Sequence, residues 1–203
     1  MDLVLNLSLF GLNLDFLKPH IEKSFMKWIT NQERSTDVNF GQKLKMGEGG
    51  WLVRVTKLSM TNIFSDLANL TPAPGFIEYD VNVPAHASGA KARRWLAVPN
   101  DLGIGFSSIG RWVYPSGSVL VQHLEMQMDE RDPESIRRLE TRVLVRRALD
   151  WTGFTYRWNE SETDAVLVGR RETESLLITG ATGGVTSVDY DYLSSTDCLM
   201  CHN

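Results

Sequence analysis

The last residues of the chain carry the side chains with the clearest chemical meaning. Two thiols and an imidazole stand in the order Cys198, Leu199, Met200, Cys201, His202, and the 203-residue sequence has only these two cysteines. Cys-x-x-Cys-His is the attachment pattern of a c-type haem, in which both thiols bond covalently to the porphyrin and the imidazole ligates iron. The spacing therefore predicts haem c as the cofactor, held by Cys198 and Cys201, with His202 as the iron ligand.

Two other uses of these thiols remain open. A Cys-x-x-Cys pair can be a redox dithiol, but that function does not need His202 and expects an α/β frame that this sequence lacks. A structural zinc ion needs about four ligands, and the motif offers three. The fourth would have to be His20, His86 or His123, none of which has a partner at ligand spacing. Covalent haem is the better interpretation, with zinc and dithiol chemistry as alternatives.

The composition bounds the class of protein. A chain of 203 residues with 42% hydrophobic residues can bury a core of its own. A formal net charge of -4 argues against a nucleic-acid surface, which would need clustered basic residues. Six Trp, eight Phe and five Tyr suit a sheet-rich core. Because no apolar run approaches the ~18 residues of a membrane span, we expect neither a nucleic-acid partner nor a membrane span in this chain.

The elements that must position the motif divide into an N-terminal extension and a β domain. Pro19 can open a helix, and apolar residues within 21–29 fall on one helical stripe, so we expect a short helix that ends near Asn31. The polar stretch 30–50 is typical of a linker. The predicted organisation is an extension over residues 1–50, a β-sandwich domain over 51–197 and the start of a haem-binding segment at 198–203.

From Trp51 onward, apolar residues recur with a period of two, which indicates strands. Residues 59–70 suggest a capped helical turn, with Ser65 or Asp66 as the N-cap, and the polar tail 183–197 is typical of a loop. Short strands punctuated by Gly and Pro predict a mainly β fold, an antiparallel sandwich or barrel-like domain. The predicted strands are 51–55, 76–83, 94–98, 118–128, 136–147, 153–159, 165–168 and 175–179.

Alternation along 136–147 predicts one charged face, with Leu139 on the opposite, apolar face. The charges could be solvated ion pairs that contribute little. Alternatively, the arginines could bind haem propionates or a partner's carboxylates, because guanidinium groups bind carboxylates bidentately. The residues assigned to this face and its neighbour strand are Arg138, Glu140, Arg142 and Arg157.

Four side chains are candidates for the second axial ligand to iron. We expect Met126 and Met128 to pack in the core. Met200 lies inside the motif and cannot easily turn back onto the metal. His123 is expected to be a hydrogen-bonded packing residue, with distal ligation as the alternative.

Covalent haem is normally installed outside the cytoplasm, so we expect a periplasmic or secreted protein. Residues 1–9 have no basic n-region and alternate as a strand does, unlike a signal peptide. A haem motif also needs protein after His202 to cover the macrocycle and supply a second axial ligand. We therefore expect this chain to be part of a longer precursor.

Several segments carry a resemblance to a known family: residues 112–121, 137–146, 156–159, 163–165 and the terminal Cys-x-x-Cys-His-Asn. Together they resemble a bacterial c-type haem-binding family whose members often lie beside, or C-terminal to, pyrroloquinoline-quinone sugar dehydrogenase-type propellers. The resemblance covers roughly residues 57–203. In that family a helical stretch with a second Cys-x-x-Cys-His follows, and this sequence stops before it. The sequence also departs from the family at 85–88, where a Ser-Asp pair is usual.

The resemblance implies a periplasmic electron-transfer domain whose redox partner is a quinoprotein dehydrogenase or another cytochrome. One alternative is a haem enzyme with an open sixth iron site that acts on a small nitrogenous or peroxide substrate. Another is a carbohydrate- or protein-interaction β-module, with Trp151 or Trp158 as exposed sugar-binding residues. We predict no catalytic residue.

Overall fold

The described part of the chain folds mainly into antiparallel β-sheets, as predicted, and has one short α-helix near the C-terminus that was not predicted. A computed structural model describes residues 43–46, 50–53, 55–82, 89–99, 102–147 and 149–202. The elements are β1 (Lys43–Met46), β2 (Gly50–Val53), a 3₁₀ helix (Leu58–Thr61), β3 (Phe64–Asp66), β4 (Thr71–Pro72), β5 (Ile77–Tyr79), β6 (Lys91–Ala97), β7 (Val119–Gln127), β8 (Ile136–Arg146), β9 (Trp151–Trp158), β10 (Ala165–Leu167), β11 (Glu172–Thr179), β12 (Val185–Tyr192) and α1 (Ser195–Leu199).

The centre of the fold is a six-stranded antiparallel sheet in the order β10-β9-β8-β7-β6-β5. Because side chains alternate along a strand, this sheet has two faces of different composition. We call the side that carries Val121, Val143 and Tyr156 the core face. The side that carries Leu144 and Gly153 is the hairpin face, because β11 and β12 pair as a separate hairpin that packs there.

Each face is covered by a different part of the chain. The segment 55–76 packs on the core face and contributes apolar side chains to its cluster, in which Trp95 is fully buried. On the hairpin face, Leu176, Tyr190 and Tyr192 of the hairpin pack against Met126 and Leu139 of the sheet. Burial of these side chains supplies the hydrophobic stabilisation of both layers. The layers are in keeping with the predicted sandwich.

A β-bulge in β8 changes which residues share a face. Leu124 pairs with Glu140 and the next residue, Glu125, pairs with Arg138, so Leu139 is the extra residue. A bulge interrupts strict alternation. Leu139 therefore packs on the hairpin face, and Arg138 lies over the ring of Trp158 on the core face. The prediction that simple alternation holds through this strand was wrong at these two residues.

The predicted strands 94–98, 118–128, 136–147, 153–159, 165–168 and 175–179 are confirmed with small shifts at their ends. The 59–70 segment contains a 3₁₀ helix, a short strand and a turn, where a capped helical turn was expected. Asp66 is the capping acceptor there, since its carboxylate accepts hydrogen bonds from the amides of Ala68 and Asn69.

Two segments differ from the predicted loops. Residues 43–46, assigned to a linker, pair with β2. The tail 183–197, predicted as a loop, contains β12 and the start of α1. The predicted helix that ends near Asn31 lies outside the described residues. Within the described part of the chain, no helix has the length and apolarity needed to span a membrane.

Candidate functional site

The candidate motif lies at the end of α1, which a capping box starts. The hydroxyl of Ser194 accepts a hydrogen bond from the Asp197 amide, and the Asp197 carboxylate accepts one from the Ser194 amide at 2.8 Å. These bonds satisfy two of the free amide groups at the helix start. Hydrogen bonds from Ser194 hold the pKa of the Asp197 carboxyl below its usual value. The box therefore fixes where the helix begins, three residues before Cys198.

Backbone hydrogen bonds carry the helical turn through the motif. The amides of Cys201 and His202 both donate to the carbonyl of Cys198, at 3.3 and 3.2 Å. Residues i, i+3 and i+4 lie on the same side of a helix. The backbone therefore continues the turn of α1 from Cys198 to His202, and the three motif residues follow one another at helical spacing.

Cys198 is buried against the hairpin face of the sheet. A methyl group placed on Gly153 would lie 2.7 Å from the Cβ of Cys198 and 3.2 Å from its Sγ, so the helix packs directly on bare backbone. The Thr155 hydroxyl lies 3.9 Å from the sulfur. Burial raises the pKa of this thiol. The absence of a side chain at Gly153 therefore leaves the space in which Cys198 packs.

The other two motif residues are more accessible. Cys201 is exposed and is not in a disulfide. His202 is half-buried, and burial lowers the pKa of its imidazole below the ordinary 6.5. The neutral imidazole is the form that binds metals. Met200 is exposed and points away from the sheet's core clusters.

A buried charged cluster lies beside Cys198 on the hairpin face. The Glu140 carboxylate is fully buried, contacts the Arg142 guanidinium, and accepts a hydrogen bond of 2.8 Å from the Tyr190 hydroxyl. Burial raises the pKa of the Glu140 carboxyl despite the attraction of Arg142. Among the described residues, Glu140 Oε2 and Arg142 Nε have no hydrogen-bond partner. The cluster therefore retains hydrogen-bonding capacity next to the motif.

The sheet next to the motif offers a half-buried apolar surface. Leu144 pairs with Gly153, and Arg146 pairs with Trp151, one step further along the same face. The ring of Trp151 contacts Tyr114 edge-on at 5.3 Å, and the Arg146 guanidinium lies 5.6 Å from its centre. Leu144, Trp151 and Tyr114 are each half-buried. A flat apolar ring held by the motif could contact this surface.

A small cavity separates α1 from β9 and β10. Its volume is about 40 Å³, enough for a water molecule but far below the ~300–1,000 Å³ of a typical ligand pocket. A porphyrin held by the motif would therefore lie along the exposed side of α1. The cavity is lined by Thr152, Gly153, Phe154, Leu167, Val168, Gly169 and Ser195.

The side chains considered as second iron ligands lie elsewhere. His123 is fully buried on the core face, where its Nδ1 is 2.9 Å from the Thr141 hydroxyl, so the prediction of a hydrogen-bonded packing residue is confirmed. The sheet lies between His123 and Cys198. Met126 is buried in the hairpin-face cluster, and Met128 packs against that cluster, as expected. His20 and His86 lie outside the described residues.

The predicted charged face divides into three separate sites. Arg138 donates to the carbonyl oxygens of Leu67 and Ala68 on the opposite side of the sheet. Arg157 pairs with Glu172 and Glu174 of the hairpin at 2.9 and 3.0 Å. Glu140 and Arg142 form the cluster beside Cys198 described above. Of the predicted arginines, Arg142 is therefore the one that lies next to the motif.

One predicted sugar-binding residue is excluded by its burial. Trp158 is only 5% exposed, and its indole N–H donates to the Thr141 hydroxyl. It cannot present a ring face to a sugar. Trp151 is half-buried between Tyr114 and Arg146.

Gly153, Thr155 and Tyr190 are site residues that sequence reasoning missed. Two signals could have located their elements. Ser194-x-x-Asp197 is a capping-box pattern, and Val188, Tyr190 and Tyr192 alternate as in a strand. No sequence signal indicates that Gly153 receives Cys198, because that contact depends on the position of α1 over β9.

Comparisons with known proteins leave the family undefined. No family model, curated protein or solved structure matches the chain. Within the described residues, no three His, Cys, Asp or Glu side chains are grouped so that they could hold a metal ion. The motif and its surroundings therefore carry the functional argument.

Proposed function

We propose that residues 198–202 form a c-type haem attachment site and that the chain is an electron-transfer domain. Cys198 and Cys201 would form the thioethers and His202 would ligate the iron; bound haem would carry one electron at a time. The redox partner would be a quinoprotein dehydrogenase or another cytochrome, in the periplasm or outside the cell. The observation that supports this proposal best is the Cys-x-x-Cys-His spacing, together with the backbone hydrogen bonds that continue the turn of α1 from Cys198 to His202.

The surroundings support the same proposal. Cys201 is exposed and so accessible to a vinyl group, and Leu144 and Trp151 provide apolar surface for a ring. Arg142 and Arg146 flank Leu144 on the hairpin face. Guanidinium groups bind carboxylates well, so these two arginines are the candidates for contact with propionates. Cys198 would have to turn from its contact with Gly153 for its sulfur to form a thioether.

Expression of the chain with haem-maturation machinery tests the proposal. We expect a Soret band, a pyridine-haemochrome spectrum of the c type, and haem mass retained on the peptide that holds Cys198 and Cys201. Free thiols or bound zinc in a preparation without Soret absorbance would contradict it. That result would favour the dithiol or zinc alternative.

Three variants sharpen this test. Cys201→Ser removes the exposed thiol and should leave at most one thioether. His202→Ala should keep covalent haem but alter the visible spectrum, because the proximal ligand is lost. Met200→Ala is the matched control: Met200 lies between the cysteines and is exposed, so haem attachment should be unchanged.

A haem site with an open sixth position is the second candidate function. It is favoured by the contacts of His123, Met126 and Met128, which lie in the two packed layers of the fold. Without a second protein ligand, ferrous iron should bind carbon monoxide readily, whereas a six-coordinate electron carrier should resist. The Soret shift on addition of carbon monoxide separates the two.

A further inference from the structure

The two ends of the six-stranded sheet differ in polarity. The β6–β7 and β8–β9 connections lie at the same end, because Ala97 pairs with Val119 and Arg146 with Trp151. We call this the apolar end, formed by residues 102–118, 147, 149 and 150. The β7–β8 and β9–β10 turns, residues 128–135 and 159–164, form the opposite, acidic end.

Exposed apolar side chains concentrate at the apolar end. Ile109 is 99% exposed and Leu149 is 91% exposed, so each projects almost wholly into solvent. Clusters of exposed apolar side chains commonly mark an interaction surface. Of the nine large exposed hydrophobic residues in the described part of the chain, five lie here: Leu102, Phe106, Ile109, Val113 and Leu149.

The loop that carries most of them has a defined conformation. Gly105 and Val113 exchange two backbone hydrogen bonds of 2.8 and 2.9 Å, which close the loop at its base. The indole N–H of Trp112 donates to the carbonyl of Ser107, and Phe106 packs edge-on against the Trp112 ring at 5.4 Å. The apolar tip is therefore presented by a folded loop.

The apolar end and the acidic end also differ in charge. The described residues of the apolar end include Arg111 and Arg147, with Arg146 at the last position of β8, against one carboxylate, Asp150. The acidic end has Arg131 against seven carboxylates, although the whole chain is only moderately acidic. These carboxylates are Asp129, Glu130, Asp132, Glu134, Glu160, Glu162 and Asp164. An anionic surface would attract the apolar end and repel the acidic end.

We propose that the apolar end docks on an anionic lipid surface. Ile109 and Leu149 would enter the boundary of the acyl chains, Trp112 would lie at the headgroup level that indole rings favour, and the arginines would approach lipid phosphates. Two projecting tips on separate connections favour lipid over a protein partner. A fluid bilayer accepts such tips in any arrangement, whereas a protein would need a matching pocket for each. The proposal does not depend on bound haem.

Vesicle co-sedimentation of the full chain tests this surface. We expect binding to vesicles of phosphatidylcholine with phosphatidylglycerol, weaker binding to phosphatidylcholine alone, and loss of the difference at high salt, because salt screens the charges. Ile109→Asp should lower the partition coefficient roughly tenfold or more, since it removes one inserted aliphatic side chain and adds a like charge. Leu149→Asp should act in the same direction.

Val185→Asp is the matched control. Val185 is 63% exposed, and it begins β12 after a turn that contacts Glu130 of the acidic end through Ala181. The Val185→Asp substitution introduces the same charge in place of an exposed aliphatic residue. The Val185→Asp variant should therefore bind vesicles as the wild type does. A wild-type chain that ignores both kinds of vesicle would overturn the proposal and indicate a protein partner for this end. Equal binding by wild type and Ile109→Asp would overturn it as well.

Discussion

The two faces of the six-stranded sheet bury polar groups in different ways. On the core face, the Trp158 indole donates to the Thr141 hydroxyl, which lies 2.9 Å from Nδ1 of His123. These groups are neutral when His123 is unprotonated. On the hairpin face, Glu140 and Arg142 form a charged pair that has only Tyr190 as a further partner among the described contacts. The fully buried polar groups of the core face therefore form a neutral layer, while the hairpin face holds a fully buried carboxylate next to the candidate site.

The difference between the two faces indicates that the buried groups of the hairpin face lower the stability of the fold. Burial of an ion pair costs desolvation energy that the mutual attraction only partly offsets. Glu140 Oε2 and Arg142 Nε find no hydrogen-bond partner in the part of the chain that the structure describes, which adds to that cost. In other proteins, replacement of a buried ion pair by apolar residues of similar volume is often neutral or stabilising. These charges lie within the layer that also receives Cys198, beside the candidate site.

The largest expected effect comes from removal of the buried carboxylate. Glu140→Ala leaves the Arg142 guanidinium without its partner and the Tyr190 hydroxyl without its acceptor. We expect the free energy of unfolding to fall by about 3–5 kcal/mol, the usual result when one member of a buried pair is lost. Denaturation with urea, followed by tryptophan fluorescence, measures this.

Glu140→Gln is the control for that prediction. It keeps the shape and an acceptor for Tyr190 but removes the charge, so it should be less destabilising than Glu140→Ala. A loss below ~1 kcal/mol for the alanine variant would show that the hairpin face tolerates the change. The contrast between the faces would then not hold.

A second, smaller effect is expected where α1 meets the hairpin face. Gly153→Ala places a methyl group 2.7 Å from Cys198 Cβ, so the helix must move. We expect a loss of about 1–3 kcal/mol in unfolding free energy, typical of overpacking. The Cys198 thiol should also react faster with a thiol reagent in the folded protein. Rates of labelling, with the modified cysteine identified by mass spectrometry, test this directly.

Gly169→Ala is the matched control for Gly153→Ala. A Cβ on Gly169 would meet nothing within 4 Å, so both stability and labelling should stay near wild type. In a Cys198→Gly background, Gly153→Ala should cost less than it does in the wild type, because the Cβ and Sγ that the new methyl group would meet are both absent. Equal labelling in Gly153→Ala and wild type would mean that Cys198 is not held by this contact.

Much of the sheet could be predicted because its signal is local. Alternation in 118–128 and 136–147 specifies long strands whatever surrounds them. The bulge could not be predicted, since Leu139 and Arg138 read as ordinary alternating positions and only pairing with β7 shows the extra residue. Strand β12 was predicted as a loop because its polar residues hide Val188, Tyr190 and Tyr192.

The candidate site, like the sheet, could be predicted only in part. Cys198, Cys201 and His202 were predicted as the site from their spacing alone. Cys198 lies in α1, and hydrogen bonds to its carbonyl continue the turn to Cys201 and His202. Their neighbours could not be predicted as site residues. Arg142 and Gly153 lie on the paired strands β8 and β9, but the packing of α1 and of the β11–β12 hairpin, which carries Tyr190, on the same face of the sheet is not visible in the sequence.

The smallest effect should come from the neutral imidazole on the core face. Burial lowers the pKa of His123 below the ordinary 6.5, although Glu125 Oε2 lies 3.7 Å from Nε2 and opposes this. The positive charges of Arg138 and Arg93 also lower the pKa of His123. Below pH 6.5 the unfolded chain therefore binds a proton that the folded chain does not, so stability falls as the pH falls. The loss ends once the pH passes below the folded-state pKa.

This pH dependence should disappear in His123→Gln. We expect the wild type to lose at most ~1.4 kcal/mol per pH unit more than the variant between pH 6.5 and 5, the limit for one proton. Urea denaturation of both proteins across this range gives the difference. Burial also lowers the pKa of His202. Because His202 is present in both proteins, its contribution to the pH dependence cancels in the difference. Parallel curves for the two proteins would mean that His123 titrates alike in the folded and unfolded chains, and the core face would then not be a neutral layer.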